Sequence, residues 1–592
     1  MTDDTTRALL SRLKVPLQDL DGLSFCATKS AAVAQWVGSL PMTRISYVSS
    51  LLYKALPEVG RLKDLGASTR LNILEALYPA VQQTIAGLSP QFLNQPMILP
   101  DTARKAATVA QALQKHLTNA YLGALFDLEQ QTTSSEAIQA HRALALYRAM
   151  NGLGLLLLRS YQLYTPVPSR LWLELHTLYR LAEQWQVCHQ PPEPAEPPLT
   201  TIQEVYQRLL LLACGRPNQL RQTEVSQMYE ALGELAPLAR MVAYQSHQLD
   251  NLFAVMLDND SAPLYKSRMP ETPGGTLREL DTGPVVAALD EARAALGTRT
   301  ASTRDRFGLS VALNEHLSRA WLLLAQRSFE RRPGKGNMTV TIGLLNLHFH
   351  LAGGQPFKLF LNQTDQVEES PMGALFKGQA PTEAPEAPDP WGLAFDAGGS
   401  RLAGEKLATF NIEQNIRHRQ QQDYRGDHPT HEVPIVDTSP GGYCVEWPHP
   451  LPPQLKAGEI LGMKEEGRHT WNIGVIRWVQ QGRTSTAIGL QTLSPRATPL
   501  AAAVTYKAGE TSEFLRALEL PGLKAVNQPP TLITNAVTFH EYCKVRLYRR
   551  NSGQREENTK TQTLVQLTRR RFATGAISQF EYRELVHPGS ES

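Results

Sequence analysis

The first half of the chain carries apolar residues at spacings of three and four, the pattern of amphipathic helices. The predicted helices are Ala31–Leu56, Thr69–Ile85, Thr102–Leu128, Ser135–Tyr164, Pro168–Val187, Ile202–Cys214, Thr223–Gln245 and Arg304–Glu330. Ser261–Thr282 is predicted as a loop or linker because it holds three prolines and two adjacent glycines. No fixed repeat period is present, so we expect an irregular all-α bundle or solenoid.

The pattern changes after Gly334. Asn337–Leu351 has β-branched and aromatic residues in strand-like alternation. Residues 366–390 hold five prolines and five acidic residues with few apolar ones, which predicts a disordered or extended insertion. Short strands and turns dominate from Glu432 onward, and Thr531–Arg550 and Thr561–Leu585 are predicted as two hairpin-like units. The fold class we expect is α+β multidomain, with an antiparallel β-barrel in the C-terminal half.

These changes of pattern suggest six regions. They are a helical scaffold domain (1–260), a linker and junction helix (261–330), the first strand or strands of the barrel region (331–365), a Pro-rich acidic insertion with its approach segment (366–431), a core barrel (432–500) and an additional C-terminal β region (501–592).

Charge and cysteine content narrow the class of protein. The chain has 59 basic and 56 acidic residues, a balance that does not indicate a nucleic-acid coat or a membrane surface. Its five cysteines are scattered and form no CxxC pair, so we expect neither a disulfide framework nor a zinc site. The N-terminal residues do not resemble a signal peptide, and no apolar run reaches the ~20 residues of a membrane helix. We therefore expect a cytoplasmic protein that is not anchored in a membrane.

The segment Val433–Leu493 alternates short strands with turns, which predicts a small antiparallel barrel. Four motifs follow one another within it: Asp437-Thr-Ser-Pro-Gly-Gly442, Ala457–Leu461, Gly474–Trp478 and Ile488–Leu490. In this order they resemble the PilZ family, whose core begins with D/N-x-S/A-x-x-G. The resemblance implies a barrel that binds cyclic di-GMP, a bacterial second messenger with two guanines and two phosphates.

The resemblance also implies roles for the residues of the first motif. Asp437 would accept hydrogen bonds from the N–H groups of a guanine, and Ser439 would donate to a phosphate or base acceptor. Gly442 would allow a sharp strand bend and a close approach of the backbone. A plain turn between strands remains the alternative for this hexapeptide taken alone, because Asp, Ser, Pro and Gly all favour turns.

PilZ proteins also carry an R-x-x-x-R motif shortly before the hexapeptide, and arginine suits guanine and phosphate recognition. Upstream of the hexapeptide this spacing occurs at Arg327–Arg331, which precedes a β-rich segment and lies more than 100 residues before Asp437. We therefore favour Arg327 and Arg331 as ligand contacts, in one barrel whose first strand is split from the second by an insertion at about 352–431. The alternative is a degenerate first barrel, with Arg419 and Arg425 serving the second. A solvated basic helix end is a further reading of the upstream pair.

Other candidate chemistry is weaker. His348 and His350 are predicted on one face of a strand, and His428 and His431 follow later, but nothing in the sequence brings three metal ligands together. No catalytic motif is present, and no sequence resembles the enzymes that make or degrade cyclic di-GMP. The basic stretches Arg546–Arg550 and Leu567–Phe572 are interpreted as charge-protected strand edges rather than as a nucleic-acid surface.

The sequence therefore predicts a non-enzymatic cyclic di-GMP effector without catalytic residues, cofactor or metal. Ligand binding in the barrel would be coupled to a protein partner through the helical half, in motility, pili, surface attachment or exopolysaccharide control. The alternative is a ligand-free structural adaptor with a degenerate barrel. We also expect the segment Arg331–Gly336 to be mobile without ligand, because it offers no apolar anchor.

Overall fold

The structure is a computed structural model that describes residues 2–95, 99–131, 135–193, 198–245, 253–269, 274–296, 304–322, 331–361, 428–482, 484–506, 510–522, 529–549 and 561–585. The chain divides into two compact units. One is a helical unit formed by residues up to 327, and the other is a β-rich unit that takes in nearly all described residues from 331 onward.

The helical unit confirms the predicted helical first half. Its helices are α1 (Thr2–Leu10), α2 (Ser30–Gly38), α3 (Ile45–Arg61), α4 (Ala67–Leu88), α5 (Asp101–Glu129), α6 (Glu136–Gln162), α7 (Leu171–Gln184), α8 (Ile202–Cys214), α9 (Gln222–Leu235), α10 (Gly283–Leu296) and α11 (Val311–Leu322). Side-chain capping stabilises the N-terminal ends of two of these helices. Thr201 and Glu204 form a capping box at α8, and the Ser135 side chain accepts a hydrogen bond from the backbone N–H of Ile138 at α6. Leucine and alanine on the inward faces form one continuous core.

A small sheet within this unit was not predicted. Its strands β1 (Arg240–Ala243), β2 (Phe253–Met256), β3 (Leu264–Tyr265) and β4 (Leu277–Asp281) lie in the order β1-β4-β2-β3. The predicted helix Thr223–Gln245 ends at Leu235 because Pro237 cannot continue it, and the chain then enters β1. The predicted loop Ser261–Thr282 was likewise wrong in part, because it contains strands β3 and β4, and Leu280 of β4 is buried in the helical core.

The β-rich unit confirms the predicted antiparallel barrel architecture of the second half. Its elements are β5 (Arg332–Pro333), β6 (Asn337–Ile342), α12 (Leu344–Leu351), α13 (Phe357–Phe360), β7 (His431–Ser439), β8 (Gly442–Pro448), β9 (Ile460–Glu465), β10 (Asn472–Gln481), β11 (Ser485–Ser494), β12 (Thr498–Thr505), β13 (Leu515–Leu520), β14 (Thr531–Asn535), β15 (Lys544–Arg549), β16 (Thr561–Ala573) and β17 (Ile577–Glu584).

The first barrel is built from β5 to β11 in the order β5-β7-β6-β9-β10-β11-β8, and it closes because β7 also pairs with β8. β6 pairs directly with β7, with Asn337 opposite Pro434 and Val340 opposite His431. The strands on either side of the long insertion therefore belong to one sheet, as the split-barrel interpretation predicted.

Only the first part of the predicted strand Asn337–Leu351 is a strand in the structure. Asn337–Leu351 contains strand β6 and then helix α12, and Gly343 between them has φ +90°, a conformation that favours glycine. His348 and His350 therefore lie on a helix and not on the face of a strand. The alternation of apolar and polar residues in this short stretch was not enough to distinguish the strand from the helix that follows it.

The second barrel is closed by six strands in the order β12-β13-β14-β17-β16-β15. Val545, Val565 and Phe580 are among the residues of its apolar interior. β16 and β17 form the predicted hairpin, but β14 and β15 do not pair with each other: β14 pairs with β13 and β17, and β15 with β12 and β16. The prediction of a hairpin over Thr531–Arg550 was therefore wrong.

The two barrels share an apolar interface. Leu347 of α12 packs in one buried cluster with Ile460 and Ile473 of the first barrel and with Leu518 and Ile577 of the second. Polar contacts supplement it: the His348 Nε2 atom lies 3.1 Å from the Leu500 carbonyl oxygen, and the Thr574 hydroxyl donates to the Gly458 carbonyl oxygen over 2.6 Å. The β-rich unit is thus a double barrel held together by α12. Among the described helices, none is long and apolar enough to cross a membrane.

Candidate ligand-binding site

The hexapeptide lies at the end of β7 and in the turn to β8. Ser439 is paired with Gly442 across this turn, and the Ser439 hydroxyl lies 3.3 Å from the Gly442 carbonyl oxygen. On the other side of β7, Arg332 is opposite Thr438 and Pro333 is opposite Asp437. Continuing this antiparallel register places Arg331 beside Ser439. The short β5 therefore brings an upstream arginine to the hexapeptide.

Arg331 and Asp437 form an ion pair on the outside of the barrel. The Arg331 Nη1 atom donates to both carboxylate oxygens of Asp437, over 2.7 and 2.9 Å. Both side chains are partly open to solvent, at 36% and 26% of their full exposure. An ion pair this accessible contributes only about 0.2–1 kcal/mol to stability, so a ligand can compete for either partner.

Gly442 is required by close packing. Its φ is +154°, and a β-carbon built on it would lie 1.9 Å from the carbonyl oxygen of Leu490 in β11. β8 pairs with β11 here, with Gly442 opposite Gln491. The close approach of the backbone expected at the last glycine of the hexapeptide is therefore present, and no other residue type fits the position.

A row of outward-facing positions crosses the strands beside Asp437. Cys444 of β8 is opposite Asp437 on one side and opposite Gly489 of β11 on the other. The Trp478 indole lies over Gly489, since a β-carbon at residue 489 would be only 2.0 Å from its Nε1 atom. This outer surface thus passes from a carboxylate through a thiol to an indole. The sequence analysis used Trp478 and Gly489 only as fold motifs and did not anticipate their contact.

Cys444 was not singled out from the sequence, although strand alternation and the register with Asp437 place it in the site. Burial raises the pKa of its thiol, and the charge of Asp437 raises it further, while Arg331 acts in the opposite direction. The thiol therefore stays protonated and fills the space beneath the ion pair.

The segment before β6 is anchored, contrary to expectation. The Gly334 N–H donates to the Val436 carbonyl oxygen over 2.9 Å, and the Ile435 N–H donates to the Gly336 carbonyl oxygen over 3.1 Å. Gly334 packs so closely on Ile435 that an added β-carbon would lie 2.4 Å from its side chain. Backbone pairing with β7 replaces the apolar side chains that this segment lacks.

The other candidate arginines cannot be compared in the same way. Arg327 lies outside the described residues, as do Arg419 and Arg425. Their assignment to a ligand stays a prediction.

The histidines considered as metal ligands make other contacts. His350 Nε2 lies 3.1 Å from the His428 carbonyl oxygen, and the His428 ring stacks on Phe349 with ring centroids 3.7 Å apart. His428 Nδ1 also contacts the Asn346 side-chain oxygen at 2.9 Å. In the part of the chain that the structure describes, no three His, Cys, Asp or Glu side chains are grouped as metal ligands.

The closed antiparallel barrel with this hexapeptide at one strand turn defines a PilZ-type protein. A family model described as the middle PilZ domain of the cyclic-di-GMP receptor FimW matches residues 252–499. Models of the N-terminal domain and the C-terminal β-barrel domain of that receptor match residues 31–245 and 500–585.

The whole chain is also similar to a curated protein. It is 34% identical over 590 residues to the cyclic-di-GMP receptor FimW of Pseudomonas aeruginosa, covering 96% of this chain and 93% of the relative. The chain therefore belongs to the FimW family. No solved structure matches it significantly.

Proposed function

We propose that this protein is a non-enzymatic receptor for cyclic di-GMP, and that the ligand binds on the outside of the first barrel at Arg331, Asp437, Ser439 and Gly442. The observation that carries the proposal is the ion pair between Arg331 and Asp437 beside the Ser439 turn, in a chain of the FimW family. Arg327 is assigned to the same site from the sequence, four residues before Arg331.

The paired side chains retain the groups that a cyclic dinucleotide needs. A carboxylate has about four lone-pair sites, so Asp437 can accept from a guanine while it still contacts Arg331. The bonds to Asp437 use only Nη1 of Arg331, and its Nε and Nη2 groups are oriented by the same planar guanidinium. Those groups suit the O6 and N7 atoms of a guanine or the oxygens of a phosphate.

The energetic cost of rearranging the pair is small. Opening an exposed ion pair costs about 0.2–1 kcal/mol, whereas micromolar binding corresponds to about −8 kcal/mol. Ligand binding therefore needs no large change in the barrel. We propose further that the helical unit docks a protein partner in the cytoplasm, and that the output is motility, pili, surface attachment or exopolysaccharide control.

Isothermal titration calorimetry of the purified full chain tests this function. Cyclic di-GMP should bind with micromolar or better affinity, and GTP and cyclic GMP much more weakly, because two guanines and two phosphates are read together. The alternative function is a ligand-free adaptor, which is favoured by one observation: the charges of Arg331 and Asp437 are paired with each other. No heat of binding at high ligand concentration would support the adaptor.

A further inference from the structure

The second barrel has one outward face that carries an excess of positive charge. Lys544 and Arg546 point outward from β15, because the alternate residues Val545 and Leu547 are buried in the barrel interior. Lys544 is opposite Gln566 of β16, and Gln566 is opposite Arg583 of β17, so one row joins the three strands. We call the surface formed by Lys544, Arg546, Arg569 and Arg583 the basic face.

Most of the positive charge on this face is not neutralised locally. Among the described residues, no carboxylate lies within ion-pair distance of Lys544, Arg546 or Arg569, and Arg583 donates only to the Gln566 side-chain oxygen, over 2.7 and 3.1 Å. The neighbouring Arg571 differs, because it is paired with Glu581. The nearby acidic residues Glu541 and Glu584 reduce the excess of positive charge without removing it.

Two other outward faces of this barrel are covered. Leu518 and Ile577 face the interface with the first barrel. Ala501 and Tyr548 are covered by Phe360 of α13 and by residues packed around it. Lys544 on β15 and Arg569 on β16 are exposed and lie outside both of these covered patches.

The chain itself supplies a segment of opposite charge at the edge of this face. Leu361 packs in the same cluster as Tyr548, and Tyr548 lies two residues from Arg546 on the same side of β15, about 7 Å along the strand. Residue 366 follows Leu361 by five residues, which span at most about 17 Å. The acidic segment 366–390, with five acidic residues and one lysine, therefore begins within reach of the basic face.

We propose that the basic face is the docking surface for the acidic segment 366–390 of the same chain. Tethering raises the local concentration of the segment to the order of mM, so several weak charge contacts suffice for docking. Lys544 and Arg546 are about 7 Å apart on one strand, a spacing that matches alternate side chains of an extended acidic peptide. The outward positions between the cations, Leu564, Gln566 and Thr568, are not aromatic, although the exposed ring of Tyr542 lies two residues before Lys544.

Zero-length carbodiimide cross-linking of the full chain, followed by peptide mass spectrometry, tests the contact. Lys544 should couple to Glu368, Glu369, Glu383, Glu386 or Asp389 at low salt and not at 0.5 M salt, because screening is then strong. The exposed pair of Lys63 and Asp21, 2.7 Å apart, is the internal positive control. Coupling of Lys63 to Asp21 without any coupling of Lys544 to the segment would overturn the proposal.

A second measurement separates docking from cross-linking chemistry. Acylation of Lys544 should be several-fold faster in a variant with E368Q, E369Q, E383Q, E386Q and D389N than in the unchanged chain. The matched variant E405Q, E413Q, D423N and D427N, from the less acidic part of the insertion, should leave the acylation rate of Lys544 unchanged. The acylation rate of the exposed reference Lys29 should be unchanged in both variants. Equal Lys544 rates in all three proteins would contradict docking.

Two other occupants would give distinct results. In a mixture of isotopically light and heavy chains, coupling between unlike chains would assign the face to a second copy instead of the same chain. The full chain could instead bind single-stranded DNA at physiological salt. If K544Q and R546Q abolished that binding, and neutralising the acidic residues of segment 366–390 did not alter it, the basic face would be assigned to nucleic acid. Either result would overturn the proposal.

Discussion

Arg331 and Asp437 are 106 positions apart in the chain, yet one guanidinium nitrogen of Arg331 lies 2.7 and 2.9 Å from the two carboxylate oxygens of Asp437. The pairing of β5 with β7 creates this contact across the insertion. An arginine and a carboxylate that meet on the outside of a PilZ-type barrel are the centre of the proposed ligand site.

Removing either member of this pair should weaken ligand binding. Arg331→Ala and Asp437→Asn should each reduce the affinity for cyclic di-GMP by about 1–3 kcal/mol, the scale of one bidentate base contact, as measured by calorimetry. Ser439→Ala should weaken binding less, because a hydroxyl makes one neutral hydrogen bond. Arg468→Ala is the matched control, since this exposed arginine of the same barrel lies 3.9 Å from Glu465 and outside the site. Equal losses at Arg468 and Arg331 would indicate a nonspecific charge effect.

The two arginine assignments make opposite predictions. If the upstream motif serves the ligand, Arg327→Ala and Arg331→Ala should each lower affinity by roughly 1–3 kcal/mol, and Arg419→Ala and Arg425→Ala should have smaller effects. Calorimetry on the four variants separates them. Loss of binding from the downstream pair, with the upstream pair silent, would show that the insertion carries the arginines.

Gly442→Ala should destabilise the first barrel. An added methyl would overlap the Leu490 carbonyl oxygen at 1.9 Å in a conformation that side chains rarely adopt, so we expect a loss of about 1–3 kcal/mol or more in the free energy of unfolding. The matched variant Gly467→Ala also has a positive φ, +78°, but has no atom within 4 Å of its β-carbon. Chemical denaturation should therefore show a clearly smaller loss for Gly467→Ala; equal losses would mean that the contact with β11 is relaxed easily.

Acid should loosen the packing of α12 against the second barrel through His348. Burial lowers the pKa of this imidazole to about 4, with a smaller lowering from Arg516, although the bond to Leu500 acts in the opposite direction. The unfolded chain binds the proton near pH 6.5, so stability is full above that pH and falls as the pH drops toward about 4. At about 1.4 kcal/mol per pKa unit, the loss is on the order of 3 kcal/mol.

Hydrogen-exchange protection factors in β12, compared between pH 7.5 and pH 5, measure this effect. His348→Gln keeps a donor for the Leu500 carbonyl oxygen but does not titrate, so the fall in β12 protection should be smaller. The readout must be local, because burial also lowers the pKa of His176 in α7 to about 4. An unchanged fall in β12 of the His348→Gln protein would exclude this histidine as the cause.

The fold class could be predicted because helices and strands leave different periodicities. The long apolar stripes of α5 and α6 and the turn-separated strands from β7 onward were identified in this way. Short elements were not, because β3 has two residues and α12 has eight, too few for a periodic pattern. The sequence also did not reveal that β14 and β15 pair with other strands and not with each other, because local turns do not specify which distant strand a strand will join.

The residues of the candidate site were proposed in part from chemistry. The hexapeptide pointed to Asp437, Ser439 and Gly442 and the arginine spacing to Arg331; the structure brings Arg331 to Asp437, and their role in ligand binding stays a prediction. The position of Cys444 beneath the ion pair and the contact of Trp478 with Gly489 depend on strand register, which no local pattern specifies. The same register explains why Arg331–Gly336 is anchored, since its partners are backbone groups of β7.

Hydrogen exchange of the full chain with and without cyclic di-GMP tests the central claim most directly, because it locates the ligand on the barrel. We expect slower exchange at Arg331–Gly336 and at Asp437–Gly442 together, with Lys544–Arg549 of the second barrel unchanged. At a ligand concentration near the Kd of the unchanged chain, the protection should be much smaller in the Asp437→Asn protein. Protection confined to other segments, with both of these unchanged at saturating ligand, would contradict the proposed site.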